Sequence, residues 1–341
     1  MPTVLESLNA ALHRAFAADG RVLLLGEDVL DPYGGAFKVT RGLSTAFPGR
    51  VLTTPISEAG IVGVAAGMAL RGFRPVVEIM FGDFVTLIAD QIINHAAKFR
   101  WMYNDQVRVP LIIRAPMGGR RGYGPTHSQT LEKLFLGVPG LRVVSPTHLG
   151  DPGHLLERII LETQDPVLFV ENKLLYLLPV KDGLDDVELQ TIGAQKVKDW
   201  ESKQSLGPCP LYRLTVKGAP APTLTLAAYG YMAELARQAM LKLAYEFEIF
   251  TELILPTDLT AFDLPLTTSR LLTIEEGTLT LGWGAEIITR AVEGLGARLK
   301  IAQRVAARDL PVPASGPLEA LVLPGVDDIV QAARAAVEEL R

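Results

Sequence analysis

Short, wholly apolar segments alternate with segments of helical periodicity, and this alternation limits the fold more than any other sequence feature. Val22–Leu25 is one such apolar segment, and the apolar residues Leu5, Leu8, Leu12 and Phe16 precede it at helical spacing. Continuous apolar runs are typical of parallel strands buried on both faces, and apolar residues three or four positions apart indicate an amphipathic helix. The same analysis predicts strands at Val51–Ile56, Pro75–Ile79, Val109–Arg114, Leu141–Val144 and Val167–Glu171, and helices at Gly60–Leu70, Phe84–Met102 and Pro152–Glu162. Short links between such elements predict a doubly wound α/β domain over residues 1–180.

The second half repeats the pattern after an interruption. Residues 181–222 are polar and dotted with proline, and we interpret them as a connecting segment with one strand of its own. Residues 223–341 then predict a second, smaller parallel-sheet domain. Its strands are predicted at Thr223–Ala228, Glu248–Leu255, Arg270–Ile274 and Arg298–Ile301, and its helices at Met232–Tyr245, Ala285–Glu293 and Val326–Leu340.

Composition and charge argue against several classes of protein. The formal net charge of the 341 residues is −5, and no run of lysine or arginine is long enough to follow a phosphate backbone, so we expect no nucleic-acid partner. No apolar segment reaches the ~20 residues that cross a bilayer, and the N-terminus lacks the features of a signal peptide. The chain has a single cysteine, Cys209, which excludes a disulfide framework and indicates a reducing compartment; we expect the cytoplasm.

A set of motifs in fixed order gives the chain its family resemblance. The segment from TTPISEAG to INHAAKFRWM is joined by GEDV, VPLIIRAPMGG, THSQTLEKLF, PGLRVVSPT and DPVLFVENKLLY, and together they cover most of residues 1–178. More loosely matching segments follow in the second half: AAYGYMAELA, LLTIEEGTLTLGWGAEI and RVAARDLPVP. The chain resembles the beta subunit of thiamine-diphosphate-dependent 2-oxoacid dehydrogenases. The resemblance implies a transketolase-like pyrimidine-binding domain followed by a transketolase C-terminal domain.

Glu58, in the ISE motif, is the central candidate residue. The resemblance implies that its carboxylate binds the pyrimidine ring of thiamine diphosphate and favours the imino tautomer, which takes the thiazolium proton. From spacing alone, Glu58 is more simply explained as a charge at the start of the helix at Gly60, where it complements the helix dipole. The surrounding motif favours the cofactor role.

Three apolar residues are predicted to bind the same cofactor. By resemblance, Phe84 stacks on the aminopyrimidine, and Ile56 and Met80 line its pocket. An aromatic residue at the start of a helix is otherwise more often part of a core.

His127 lies in the glycine-rich segment GGRRGYGPTHSQ. A histidine on a flexible loop beside a strand end suits proton transfer, because its pKa lies near neutrality. By resemblance, it faces the substrate and assists acyl transfer to lipoamide; the alternative is an exposed loop histidine. We interpret Arg120 and Arg121 as a solvated pair on this loop.

The diphosphate half of a thiamine site is missing from the sequence. Thiamine enzymes hold Mg²⁺ and the diphosphate with a Gly-Asp-Gly motif and a downstream asparagine. Neither Asp19-Gly20 nor Asp182-Gly183 has the preceding glycine. The resemblance therefore implies an alpha subunit that supplies this half, in an α2β2 heterotetramer.

Two further features are implied by resemblance alone. Some family members bind potassium through main-chain oxygens, and the matching positions are Leu111, Ile160, Leu161, Thr163 and Asp165. The family's C-terminal domain also docks a dihydrolipoyl acyltransferase core. Here the segment after DLPVP lacks the aromatic residue often found there.

Three functions stay open at this point. The first is decarboxylation of a 2-oxoacid with acyl transfer to lipoamide. The second is another thiamine reaction on the same scaffold, either acetoin cleavage or an acyloin-forming carboligation. The third is a non-catalytic α/β protein. A Rossmann enzyme is disfavoured because GIVGVAAG spaces its glycines differently from G-x-G-x-x-G and does not follow the first strand.

Overall fold

The chain folds around two six-stranded sheets. A computed structural model describes residues 1–180, 185–195, 209–261 and 263–338. Both sheets are predominantly parallel and have helices packed against their faces, which confirms the predicted α/β class. Within the described residues, no helix is both long enough and apolar enough to cross a membrane.

The first sheet is wholly parallel, with strand order β2-β1-β3-β4-β6-β5. Its strands are β1 (Val22–Gly26), β2 (Val51–Thr53), β3 (Arg74–Glu78), β4 (Ile112–Met117), β5 (Arg142–Val144) and β6 (Val167–Asn172). The helices of this half are α1 (Val4–Ala18), α2 (Leu43–Ala46), α3 (Glu58–Leu70), α4 (Ala97–Met102) and α5 (Pro152–Glu162).

Strand β1 shows why the apolar runs form buried strands. Leu23 and Leu25 pack into the core on one face of the sheet, and Val22 and Leu24 pack into the core on the other. Successive side chains of a strand point to opposite faces, so a strand covered on both sides must be apolar throughout.

The second sheet has strand order β12-β11-β9-β10-β8-β7. Its strands are β7 (Val187–Gln195), β8 (Cys209–Val216), β9 (Leu224–Ala228), β10 (Thr251–Pro256), β11 (Arg270–Thr278) and β12 (Ile301–Ala307), and its helices are α6 (Met232–Phe247), α7 (Trp283–Leu295), α8 (Gly316–Val322) and α9 (Val326–Glu338). Strands β7 and β8 are antiparallel additions at one side. Both strands lie within residues 181–222, which we interpreted as a connecting segment with one strand. The described part of this segment therefore adds two strands to the second sheet.

Other elements also differ from the sequence analysis, and a helix and a strand show the physical reasons. The single helix predicted over Phe84–Met102 consists of a 3₁₀ segment (Gly82–Ile88), a π-helical segment (Gln91–Ala96) and α4. Such departures from α geometry recur near functional sites. Strand β12 begins at Ile301 and extends beyond the predicted Arg298–Ile301, because Gln303 and Arg304 leave this edge strand without a continuous apolar run.

A buried ionic network joins three neighbouring strands of the first sheet. Arg114 on β4 donates to Glu78 on β3 at 2.6 Å and to both carboxylate oxygens of Glu171 on β6 at 2.7 and 2.8 Å. The Tyr176 hydroxyl donates to Glu171 at 2.6 Å. Burial raises the pKa of Glu78, and the Arg114 guanidinium opposes that rise by favouring the charged carboxylate.

We predict that Arg114→Met lowers the free energy of unfolding by about 3–5 kcal/mol, because it leaves two buried carboxylates without their cation. Urea denaturation measures the effect. Arg158→Met is the control, since Arg158 pairs with Glu162 on the surface of α5 and such pairs contribute about 0–1 kcal/mol. A loss for Arg114→Met no larger than that of the control would contradict the prediction.

Candidate active site

The candidate residues lie at the carboxyl edge of the first sheet. In a parallel sheet all strands end on the same edge, and ligands of doubly wound proteins bind there. Glu27 follows β1, Glu58 follows β2, and Met80 and Phe84 follow β3. His127 lies on the loop that follows β4. The strand order β2-β1-β3-β4 therefore brings together residues that are far apart in the sequence.

Glu58 is the first residue of α3 and is buried, with 8% of its surface exposed. Its side chain makes no hydrogen bond to the part of the chain that the structure describes. Its position in the first turn agrees with the simpler interpretation from spacing, a negative charge that complements the helix dipole, and it leaves the carboxylate free to bind a ligand. Its neighbour Ile56 is 84% exposed, so an apolar side chain and a buried acid lie side by side at the start of α3. The Glu58 carboxylate adds to burial in raising the pKa of Glu27, which places the two acids close together.

Several buried polar atoms in the segments that follow β1, β2 and β3 have no partner among the described residues. They are Glu27 Oε1, Thr54 Oγ1, Asp83 Oδ2 and Gln91 Oε1. Buried polar groups are nearly always hydrogen-bonded, so a group of unpaired ones calls for a ligand or water. A heteroaromatic ring with amino and ring-nitrogen groups, such as the aminopyrimidine of thiamine diphosphate, fits these acceptors and the apolar Ile56.

An aromatic cluster encloses His127. The half-buried imidazole lies edge-on to Phe81, with ring centroids 4.7 Å apart, and to Phe84, at 5.4 Å. The Phe81 ring also contacts Tyr123 at 5.9 Å. Thr126 Oγ1 lies 3.0 Å from His127 Nδ1. The structure thus brings His127 into contact with Phe84. The sequence analysis assigned these two residues different roles at one site.

The second half of the chain holds the base of the His127 loop. Glu276, on β11, accepts a hydrogen bond from the Gly119 amide at 2.8 Å, and Glu319, on α8, accepts one from the Arg120 amide at 2.6 Å. Arg120 also donates to the Pro324 carbonyl at 2.6 Å. Arg120 is therefore anchored, whereas the interpretation from sequence was a solvated pair; its neighbour Arg121 is exposed.

Sequence reasoning missed three polar residues of this region. Asp83 is buried and accepts from the Gln129 amide and side chain. Glu27 was noted only as part of a motif. Lys173 follows β6, is fully buried and donates to the His127 carbonyl at 2.5 Å. A lysine just past a strand end ordinarily lies in solvent, so only the tertiary structure reveals its burial.

The family is decided by comparison with known proteins. The transketolase pyrimidine-binding domain model matches residues 1–178, and the transketolase C-terminal domain model matches residues 215–329. The pyruvate dehydrogenase E1 component subunit beta-1 of Oryza sativa subsp. japonica is 38% identical over 345 residues, covering 98% of this chain and 86% of the relative. The chain belongs to the 2-oxoacid dehydrogenase E1 beta subunits. This family depends on thiamine diphosphate and consists of oxidoreductase subunits.

Other relatives of this beta subunit differ in their printed activities. The 2-oxoisovalerate dehydrogenase subunit beta of Pseudomonas aeruginosa is 36% identical, covering 91% of this chain and 88% of the relative. The acetoin:2,6-dichlorophenolindophenol oxidoreductase subunit beta of Cupriavidus necator is 33% identical, covering 96% and 95%. A solved split-gene transketolase, described as an inactive beta4 tetramer, has a TM-score of 0.72 at 18% identity and covers 100% of both chains, which supports the fold alone.

The beta subunit's predicted potassium ligands converge near the end of α5, where they already have protein donors. The main-chain oxygens of Ile160 and Thr163 accept from the buried Arg74 guanidinium at 2.6 and 2.7 Å. The Asp165 carbonyl accepts from Thr163 Oγ1 at 2.7 Å. Arg74 thus supplies positive charge to the carbonyl oxygens of Ile160 and Thr163 at the carboxyl end of the helix. The Leu111 carbonyl accepts from the Val167 amide at 2.9 Å, and Leu161 belongs to the last turn of α5.

We predict that Arg74→Met lowers the free energy of unfolding by about 1–3 kcal/mol, because two buried carbonyl oxygens lose their donor. Thermal denaturation in potassium chloride should recover part of this loss relative to choline chloride, since the space left by the guanidinium is lined by carbonyl oxygens. Arg108→Met, on the surface, is the matched control. Equal unfolding temperatures of Arg74→Met in the two salts would exclude cation binding at these oxygens.

Proposed function

We propose that this beta subunit works with an alpha subunit to decarboxylate a 2-oxoacid and to pass the acyl group to lipoamide. The observation that carries the proposal is Glu58, of whose surface 8% is exposed; its carboxylate has no hydrogen-bond partner in the described chain and lies at the carboxyl edge of the first sheet. A carboxylate whose oxygens have no protein donor is free to accept hydrogen bonds from a ligand. When bound, thiamine diphosphate supplies the carbanion chemistry that decarboxylation needs.

Glu58 has the task of holding a proton at the pyrimidine ring nitrogen. The Glu58 carboxylate has no protein donor among the described residues, and Ile56 beside it offers an apolar surface to a bound heterocycle. Phe84 presents a half-buried ring from the 3₁₀ segment after β3, and Met80 lies just before that segment. We assign stacking on the pyrimidine to Phe84, and lining of its pocket to Ile56 and Met80.

His127 has the task of moving a proton or orienting the acyl acceptor. Its edge contacts with Phe81 and Phe84 limit rotation of the imidazole, and its loop position leaves part of the ring accessible. The neutral imidazole has one nitrogen that donates and one that accepts, so His127 can exchange a proton with a bound acyl acceptor.

The partner proposal rests on exposed apolar residues on α3 and in the segments beside it. Ile56, Val64, Leu87 and Phe73 are 84%, 58%, 55% and 40% exposed, and Gly63 and Gly67 leave the outer face of α3 smooth. Contiguous exposed apolar surface is typical of protein interfaces. We propose that an alpha subunit covers this surface, supplies the Mg²⁺ and diphosphate ligands that the sequence lacks, and completes an α2β2 heterotetramer.

Other predicted features stay proposals. We propose that the enzyme docks on a dihydrolipoyl acyltransferase core and works in the cytoplasm. Cys209, the chain's single cysteine, is buried, and burial raises the pKa of its thiol to about 12, which suits an unreactive structural thiol. Potassium at the carbonyl oxygens near the end of α5 also stays a prediction.

A second function, acetoin cleavage or acyloin-forming carboligation, is favoured by two observations. The segment after DLPVP departs from the family pattern, and a relative named for acetoin oxidation is 33% identical over 96% of this chain. Product analysis of the assembled enzyme with a 2-oxoacid, with and without an added aldehyde, separates the two functions. Acyl transfer to lipoamide supports the first, and an acyloin product supports the second.

We predict that Glu58→Gln in the assembled enzyme lowers the rate of 2-oxoacid decarboxylation at least ~100-fold, the usual contribution of a positioned acid or base. Glutamine keeps the size of the side chain, so subunit assembly should be unchanged in sedimentation experiments. The control is Glu162→Gln on the surface of α5, which should keep full activity. Normal decarboxylation by Glu58→Gln would refute the assignment.

We also predict that the beta subunit alone binds thiamine diphosphate and Mg²⁺ weakly. Isothermal titration calorimetry should show tight binding only after the alpha subunit is added, because this sequence lacks the motif that holds the diphosphate. Equally tight binding in the absence of a partner would overturn the two-chain site.

A further inference from the structure

Lys173 is a buried lysine whose ammonium contacts the main chain of the loop that carries His127. It follows β6, none of its surface is exposed, and Nζ donates to the main-chain carbonyl of His127 at 2.5 Å. Its own amide donates to the Met117 carbonyl, at the end of β4. Lys173 thus connects the end of one strand to the loop that follows its neighbour.

The surroundings of Nζ are mostly aromatic. The ammonium lies 5.3 Å from the Phe81 ring centroid and 5.6 Å from that of Tyr123, distances at which cation–π attraction acts. No carboxylate of the described chain lies within ion-pair distance of Nζ. Burial lowers the pKa of Lys173 to about 8, Asp83, Glu276 and Glu319 act in the opposite direction, and Arg121 lowers it further.

A buried ammonium without a paired acid is costly, so its contacts indicate what it stabilises. The loop that it holds is unusual in its backbone, with positive φ at Gly118, Arg120, Gly122 and Gly124. Glu276 and Glu319 bind this loop at Gly119 and Arg120, seven or more residues before His127. Asp83 binds Gln129, two residues after His127. At the His127 carbonyl, the donor among the described residues is Lys173, which follows β6.

We propose that Lys173 is a positioning residue, which fixes the His127 carbonyl and so holds the imidazole between Phe81 and Phe84 for acyl transfer. The inference rests on the role proposed above for His127. The peptide carbonyl and the side chain share one Cα atom, so a carbonyl free to rotate lets the ring leave the aromatic cluster. A misplacement of about 1 Å in a reacting group can cost about 100-fold in rate.

The test uses the assembled enzyme and two assays. One follows decarboxylation with a small-molecule oxidant, and the other follows acyl transfer to free lipoamide. We expect Lys173→Met to lower kcat for acyl transfer about 100-fold, with the KM for the 2-oxoacid and oxidant-coupled decarboxylation close to wild type. The matched control is Lys133→Met, which removes another lysine that donates to carbonyl oxygens, those of Thr278 and Thr280, away from His127. An equal loss in both assays would overturn the inference, since it would indicate a general structural role.

A double-mutant comparison separates failure of the inference from failure of the proposed function. If His127→Ala transfers acyl groups normally, the role of His127 is wrong, and the inference falls with it. If His127→Ala is impaired but Lys173→Met is not, the inference alone is wrong. The inference requires that the double variant be no worse than His127→Ala, because residues acting through one contact are not additive. Additive losses would overturn it.

The wild-type enzyme offers a test that needs no Lys173 variant. The ammonium loses its charge as the pH rises through about 8, which weakens its bond to the His127 carbonyl. The ratio of acyl transfer to oxidant-coupled decarboxylation should therefore fall above about pH 8, and the fall should be absent in His127→Ala. A ratio that stays constant from pH 7 to 9, or that falls equally in both proteins, would contradict the inference.

Discussion

The candidate active site depends on a buried ionic network within the first sheet, in the strands whose carboxyl ends carry the site. Arg114 on β4 binds Glu78 on β3 and Glu171 on β6. The Tyr176 hydroxyl donates a further hydrogen bond to Glu171. Charges without water are stable only when each has its partners in place. The network therefore fixes the relative positions of β3, β4 and β6, and the carboxyl ends of those strands present Phe84, the His127 loop and Lys173.

The second domain also shapes the site, although it contributes none of the predicted cofactor residues. Glu276 and Glu319 hold the start of the His127 loop by its main-chain amides. Tyr229 donates to Glu132 at 2.5 Å, where burial raises the pKa of the carboxyl group. Arg142 of β5 pairs with Asp258, so the end strand of the first sheet is bound to the second half of the chain. Buried polar contacts of this kind are directional, and they set the orientation of the two sheets more closely than apolar packing alone.

The limits of strands and helices were predicted well where the local sequence pattern matches the burial of the element. Strand β1 and helix α5 lie within a residue of their predicted limits, because a strand buried on both faces and a helix with an aspartate cap both have local signals. Prediction from sequence failed for the helix predicted over Phe84–Met102. Periodicity alone does not separate α from 3₁₀ and π geometry, which differ by one hydrogen-bond step. It also misplaced strand β12, predicted at Arg298–Ile301 and found at Ile301–Ala307, because Gln303 and Arg304 interrupt its apolar residues.

The sequence by itself determined which residues can carry the chemistry: an acid at position 58, a histidine on a glycine-rich loop, and no motif for a diphosphate-bound magnesium ion. Only the tertiary structure decided that Glu58 is buried and unpaired, that His127 contacts Phe84, and that Lys173 lies beneath the His127 loop. The physical reason is that motifs and periodicity report on a few neighbouring residues. Burial and contacts across the edge of a sheet depend on strand order, which is fixed only when the whole sheet packs.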